Sequence, residues 1–246
     1  MKGLIFNGRH SSEFGLIMRS KDRTVLPSVR EDYEYLPKRH GSIHFFQGLD
    51  DRMIEVEFFF IEKSLEAVRS KARKIAAWLF TQKRERLIFD DEPDKYYMAK
   101  VGNQISLDQF IYTGTFTVIF RCEPFAYVDK TLVVTSPCTL HVDGTYETDI
   151  SIAGVVERYS IDIGGEYQAN EKDVSIQLNR KRIALKNDVD VFLIDTEKMR
   201  VVNGNNENMF SSIEGDLDEF KLHPGVNELI FSGVSSLTIS YKERWL

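Results

Sequence analysis

Met53-Ile54-Glu55-Val56-Glu57-Phe58-Phe59-Phe60-Ile61 is the stretch whose period decides the fold class. Side chains alternate across an extended strand, so Ile54, Val56, Phe58 and Phe60 fall on one face and Glu55 and Glu57 on the other. That is a half-buried β-strand. Thr115–Cys122 repeats the pattern, with Phe116, Val118, Phe120 and Cys122 on one side. Between these two, Arg86–Phe89 and Tyr96–Val101 read as shorter strands. They flank a turn, Asp90-Asp91-Glu92-Pro93-Asp94, whose Asp and Pro residues favour local hydrogen bonds and a fixed φ.

One segment follows a helical period instead. From Ser64 to Phe80 the apolar positions Leu65, Val68, Ala72, Ile75, Ala76 and Leu79 recur at steps of three and four and share one helical face. Ser64 is the N-cap, with a hydroxyl able to accept from an early free N–H. Lys71, Arg73, Lys74, Lys83 and Arg84 take the exposed face and the C-terminal end, where positive charge suits the helix dipole. The spacing predicts one helix over about 64–80, lying across a sheet.

Residues 20–48 differ from both. Ser20-Lys21-Asp22-Arg23-Thr24 reads as a turn, and Val25–Pro37 then alternates only loosely, with Pro27 and Pro37 and exposed tyrosines. Proline removes ladder donors, so this is an edge strand or an extended arm rather than central sheet. An arm of this kind often adds itself to a neighbour's sheet. Tyr33, Tyr35 and Leu36, with Pro27 and Pro37, are therefore the candidate subunit-contact residues.

Beyond Tyr127 the chain changes character. Short strands alternate with turn residues: Asp143-Gly144, Gly164-Gly165, Asn179, Asn187-Asp188, Asn203-Gly204-Asn205-Asn206, Glu214-Gly215-Asp216 and Pro224-Gly225. Such pairs supply the positive φ of tight hairpins. The pattern predicts an antiparallel sandwich or jelly roll. The expected organisation is mostly β: an α+β N-terminal domain over 1–130, with one helix on a β-sandwich, and a C-terminal β-sandwich over 131–246.

Composition narrows the function. The chain has 246 residues and a formal net charge of −6. Residues 1–130 carry 21 basic and 19 acidic residues, which leaves 11 basic and 19 acidic for 131–246. Neither half has the basic excess that phosphate binding demands. No apolar run, Phe58–Ile61 included, comes near the roughly 18 residues of a membrane span. No signal-peptide core follows Met1, so the expectation is a protein made in a cytoplasm. Cys122 and Cys138 form no disulfide framework and are expected reduced.

Catalytic patterns are absent. There is no G-x-G-x-x-G, no phosphate loop and no G-x-S-x-G elbow. His40 and His44 are four apart, but Pro37 and Gly41 disfavour the helix that would pair them on a metal. Asp90, Asp91 and Glu92 adjoin one another before a proline, whereas a glycosidase needs two carboxylates facing across a cleft. Asp216-Leu217-Asp218 lacks the other ligands of a calcium loop. No cofactor, metal or catalytic residue is expected. Tyr146, Tyr159, Tyr167 and Phe192 are candidates for sugar stacking or equally for core.

The order of these features carries a resemblance. Phe6-Asn7-Gly8-Arg9-His10-Ser11-Ser12-Glu13-Phe14-Gly15-Leu16 resembles the start of siphophage distal tail proteins, with their pattern F-N-G-x-x-S-x-x-F-G-L. So do the proline-bearing arm ending at Lys38-Arg39-His40-Gly41, the helix with Ala76-Ala77-Trp78-Leu79, and Leu87-Ile88-Phe89-Asp90-Asp91-Glu92-Pro93. Phe116–Ala126, Leu222-His223-Pro224-Gly225-Val226-Asn227 and the ending Thr238–Leu246 complete the series. One departure is Lys38-Arg39-His40-Gly41, where relatives often have a glycine before the basic residue.

The resemblance implies a structural protein of the virion tail tip, not an enzyme. It implies a homo-hexameric ring of N-terminal domains around a channel, with the arm clasping the next subunit and a galectin-like sandwich outside. The implied partners are the tail tube protein, the tail-tip hub protein and the tape measure protein. DNA would pass through without specific binding, and no membrane insertion is implied. The final residues, Arg244-Trp245-Leu246, are expected to find a partner, with the N-terminal domain as one candidate. Two other readings stay open: a carbohydrate- or receptor-binding sandwich without ring assembly, and a carbohydrate-active enzyme using Asp90.

Overall fold

The computed structural model describes residues 3–106, 114–163, 166–171, 174–185 and 190–246, with side chains for all of these outside 158–171. The turns at Gly164-Gly165 and Asn187-Asp188, and the side chains of Tyr159 and Tyr167, lie outside the described set. Two compact units emerge, residues 1–127 with Leu246, and Val128–Trp245.

The first unit runs β1 (Leu4–Phe6), β2 (Arg9–His10), β3 (Ile17–Arg23), β4 (Val29–Glu34), β5 (Ile43–Leu49), β6 (Arg52–Phe59), α1 (Leu65–Leu79), β7 (Glu85–Phe89), β8 (Glu92–Val101), β9 (Thr115–Cys122) and the start of β10 (Ala126–Val134). All its strand pairs are antiparallel, in the order β3-β6-β9-β8-β7-β1-β2. Among the described residues β4 and β5 pair only with each other.

The alternation in β6 does what the sequence asks of it. Ile54, Val56 and Phe58 are wholly buried and face Phe120, Val118 and Phe116 of β9 in register. α1 closes this core with Val68, Ile75, Trp78 and Leu79. Trp78 was absent from the sequence pattern yet is the helix's main anchor. Its ring stacks on Phe14 at 4.6 Å and meets Phe6 and Phe58 edge-on. Its indole N–H donates to the Phe6 carbonyl at 2.8 Å, so the buried donor is satisfied. The Ser64 hydroxyl accepts from the Ala67 N–H at 3.2 Å and caps the helix. Leu65 and Ala76, expected on the buried face, are exposed.

Two expected turns come out as strand. Ser20–Arg23 continues β3, paired with Glu57–Ile54 of β6. Its polar side chains are held laterally: Lys21 and Arg23 lie 5.0 Å from the centroid of the Phe89 ring and pair with Asp91 and Glu92. The Asp90–Asp94 turn shrinks to Asp90-Asp91, because β8 begins at Glu92. Pro93 fits there because the β7–β8 register breaks between Leu87 and Phe89, and a bulge needs no N–H from it.

The second unit adds β11 (Cys138–Val142), β12 (Ile150–Val156), β13 (Arg158–Ile163), β14 (Glu166–Glu171), β15 (Val174–Leu178), β16 (Lys181–Leu185), β17 (Val191–Asp195), β18 (Arg200–Asn203), β19 (Ile213–Glu214), β20 (Gly225–Ser232) and β21 (Val234–Trp245). One antiparallel sheet runs β18-β17-β12-β21 and the other β11-β20-β15-β16-β19, while β13 and β14 form a separate hairpin. Ile152, Phe192, Leu237 and Ile239 from the first sheet share a core with Ile176, Ile183, Leu229 and Phe231 from the second. This is an antiparallel sandwich in a mostly β chain. Buried Asn227 ties its turns together, accepting from the His223 N–H at 2.9 Å and from the Asn179 side-chain amide at 3.0 Å.

Both cysteines are free thiols. Cys122 is fully buried and its thiol is pushed up to about 12 by that burial. Cys138 is only half-buried, and burial raises its thiol as well.

Candidate functional site

The β4–β5 hairpin is the feature of the first unit that its core leaves unexplained. Every residue of β4 is exposed. Tyr33 is 54% exposed, Tyr35 76%, Phe45 48% and Phe46 54%. Leu36 and Pro37 are exposed with them. An isolated two-stranded hairpin is marginal in water, and clustered exposed aromatics mark an interaction surface.

Register sorts the two faces. Glu31 opposes Phe46 and Tyr33 opposes His44, so these four share one face. Asp32 opposes Phe45 and Glu34 opposes Ile43, which form the other. On the first face the Tyr33 and His44 rings lie 5.4 Å apart, and His44 Nε2 sits 3.2 Å from Glu31. The Tyr33 hydroxyl donates to the Glu31 carboxylate. That bond, with His44 beside it, holds the Glu31 carboxyl below its usual range. The tip is a type II turn: Leu36 accepts from the Arg39 N–H at 3.2 Å, Pro37 stands second and Lys38 third with φ +66°. Lys38 therefore holds the left-handed conformation that glycine adopts more easily.

The root of the hairpin is clamped. The Asp50 N–H donates to the Ser28 carbonyl at 2.8 Å, closing the two strands. The Asp51 carboxylate accepts from Arg84 at 2.8 Å and from Arg121 Nε at 2.5 Å. Burial pushes this carboxyl up, and the two guanidinium hydrogen bonds outweigh it, leaving the group below its ordinary value. Pro27 is buried at this root, whereas Tyr33, Tyr35, Leu36 and Pro37 lie exposed along the hairpin. Phe45 and Phe46 escaped the sequence reading. Ile43-His44-Phe45-Phe46 after Gly41 is a strand signal that would have found them.

The other candidates are built differently. Asp90 accepts from the Gly3 N–H at 2.6 Å and faces His10 Nε2 at 3.1 Å. Asp91 is bound by Lys21 and lies 3.0 Å from Arg23. The Lys21 hydrogen bond and the Arg23 charge hold the Asp91 carboxyl down. Asp90 ties down the start of the chain and Asp91 clasps β3; the two do not face each other across a cleft. Among the described residues no group of three or more side chains could hold a metal, and no helix is long and apolar enough to cross a membrane. In the second unit a cleft of about 370 Å³ is lined by charges that satisfy one another, Arg244 with Asp149 at 2.7 Å and Lys198 with Asp195 at 2.8 Å. Phe192 is core, Tyr146 is half-buried, and Tyr241 in the cleft wall is 7% exposed, so neither Phe192 nor Tyr241 offers a sugar-stacking face.

Comparison with known proteins follows the same division. Residues 10–122 match the phage tail protein RIFT-related domain, and residues 143–245 match the siphovirus-type tail component, C-terminal domain. The fold is similar over its whole length to the crystal structure of SPP1 Dit (gp 19.1) protein, described as a paradigm of hub adsorption apparatus in phages infecting Gram-positive bacteria. The TM-score is 0.78 at 16% identity, covering 100% of both chains. A chain of the phage P2 baseplate in its activated conformation with Ca is similar at TM-score 0.51 and 9% identity, covering 99% of this chain and 98% of that one. No curated protein sequence matches the chain. The two domains, in this order along one chain, define a structural component of a phage tail. The chain belongs to the siphophage distal tail protein family.

Proposed function

We propose that the protein is the hub ring of a long-tailed phage tail tip, a homo-hexamer that joins the tail tube to the tail-tip hub protein. The first unit of each copy forms the ring around a channel, and the β4–β5 hairpin clasps the next copy. A head-to-tail contact repeated by rotation closes without leaving a free surface. The carrying observation is the hairpin, which projects Tyr33, Tyr35, Phe45 and Phe46 into solvent in the single chain. Covering these side chains with an identical neighbour removes that exposure at every position of the ring. The tape measure protein reaches the same channel, DNA passes through it without specific contacts, and the ring performs no catalysis.

The test follows from the root. Because Asp50 already bonds Ser28, residues 29–49 can be excised and the gap closed with two glycines, leaving β3 paired to β6. Multi-angle light scattering and negative-stain images of the wild type should show a six-fold ring, and the excised variant a folded monomer. A hexamer that survives excision overturns the clasp.

A further inference from the structure

A second surface of the first unit has the chemistry the hairpin lacks. Beside the C-terminal half of α1 lies a groove of about 810 Å³. Ala72, Ile75, Leu79 and Phe80 give it an apolar floor, and Phe80 is 73% exposed. Arg69 and Arg73 stand along it, both exposed, and among the described residues neither meets a carboxylate. Thr81 also lines the groove. It is 8% exposed, and its hydroxyl oxygen is closed off from solvent.

The hairpin supplies each complement. The face with Ile43 and Phe45 is apolar at its centre and carries Asp32 and Glu34 beside it. Both outer edges of the two-stranded sheet are unpaired among the described residues, so an edge presents backbone N–H and C=O groups. We propose that the Ile43–Phe45 face of one copy seats in the α1 groove of the adjacent copy. Phe45 fills the apolar floor, and Asp32 and Glu34 pair with Arg69 and Arg73. On the opposite face Tyr33 and His44 already hold Glu31, whereas on this one Asp32 takes the neutral side-chain amide of Gln47 and keeps its charge for a cation. This assignment rests on the ring reading but makes its own claim about where the clasp lands.

The experiment uses the full chain. Arg69→Glu with Arg73→Glu should shift the monomer–hexamer midpoint at least tenfold in concentration, and Asp32→Lys with Glu34→Lys in the same chain should restore it. A photoreactive benzoyl-phenylalanine in place of Phe45 should cross-link to peptides of residues 69–81 from a differently labelled copy. Cross-links to another surface, or a ring indifferent to charge reversal, overturn the groove while leaving the ring reading intact, provided that excision of 29–49 still yields monomer. If excision leaves a hexamer, both fall. Restoration by the paired reversal separates lost docking from lost folding.

Discussion

At the residue scale, the sandwich of the second unit depends on one missing side chain. A Cβ on Gly154 of β12 would lie 2.5 Å from Phe192 Cζ and 2.8 Å from Leu237 Cδ2. Both neighbours are fully buried, so neither ring nor methyl has space to retreat. Gly154→Ala is expected to destabilise the protein by about 1–3 kcal/mol, seen as a lower urea midpoint. An unchanged midpoint would show that the side chains on the two flanking strands can give way locally. Nothing in the sequence marked this position, since Ile150–Val156 alternates as well with alanine as with glycine. The close approach exists only after β17 and β21 have paired on either side of β12. Lys38 is the opposite case: the departure at 38 was visible in the sequence, and the structure gives its consequence as a strained turn.

At the element scale, legibility tracked how local the signal is. β6, β9 and α1 announce themselves through side-chain period and a capping serine. β3 did not, because Ser20–Arg23 is a polar run whose strand character comes from the β6 ladder and from Asp91 and Glu92 far along the chain. The hairpin was read as an extended arm because its partner strand lies across a turn, and because neither strand has a buried face to betray its period. Its root carries a prediction about pH. Asp51 is held below its unfolded value of 3.8 by Arg121 and Arg84, so its contribution is present above that value and is lost as pH falls through the lower folded one. Asp51→Asn should therefore lower stability at pH 7 by about 1–2 kcal/mol. The gap to wild type should close as the pH falls below 3.8. A gap constant from pH 7 to pH 2.5, by thermal melts, would remove the charge from the clamp.

At the scale of the whole molecule, the mostly β character and the tail-protein resemblance were readable from order alone, since no single motif is specific. What the sequence could not show is which apolar side chains stay outside. Tyr33 and Phe58 both sit in alternating segments, yet one is half-exposed and the other fully covered. The difference depends on whether another element of the same chain reaches them. For the hairpin none of the described elements does, which is why this region and not the core carries the functional reading. In the second unit the charges lining the cleft pair with one another, Arg244 with Asp149 and Lys198 with Asp195.

The unequal thiols have a practical outcome. Cys122 is sealed in the core with its proton held to about pH 12, while Cys138 is partly open to solvent. A maleimide dye should attach at Cys138 alone in the native protein, one fluorophore per copy, with no engineered site. Stepwise photobleaching of single particles would then count protomers directly, and six discrete intensity drops would be the signature of a complete annulus.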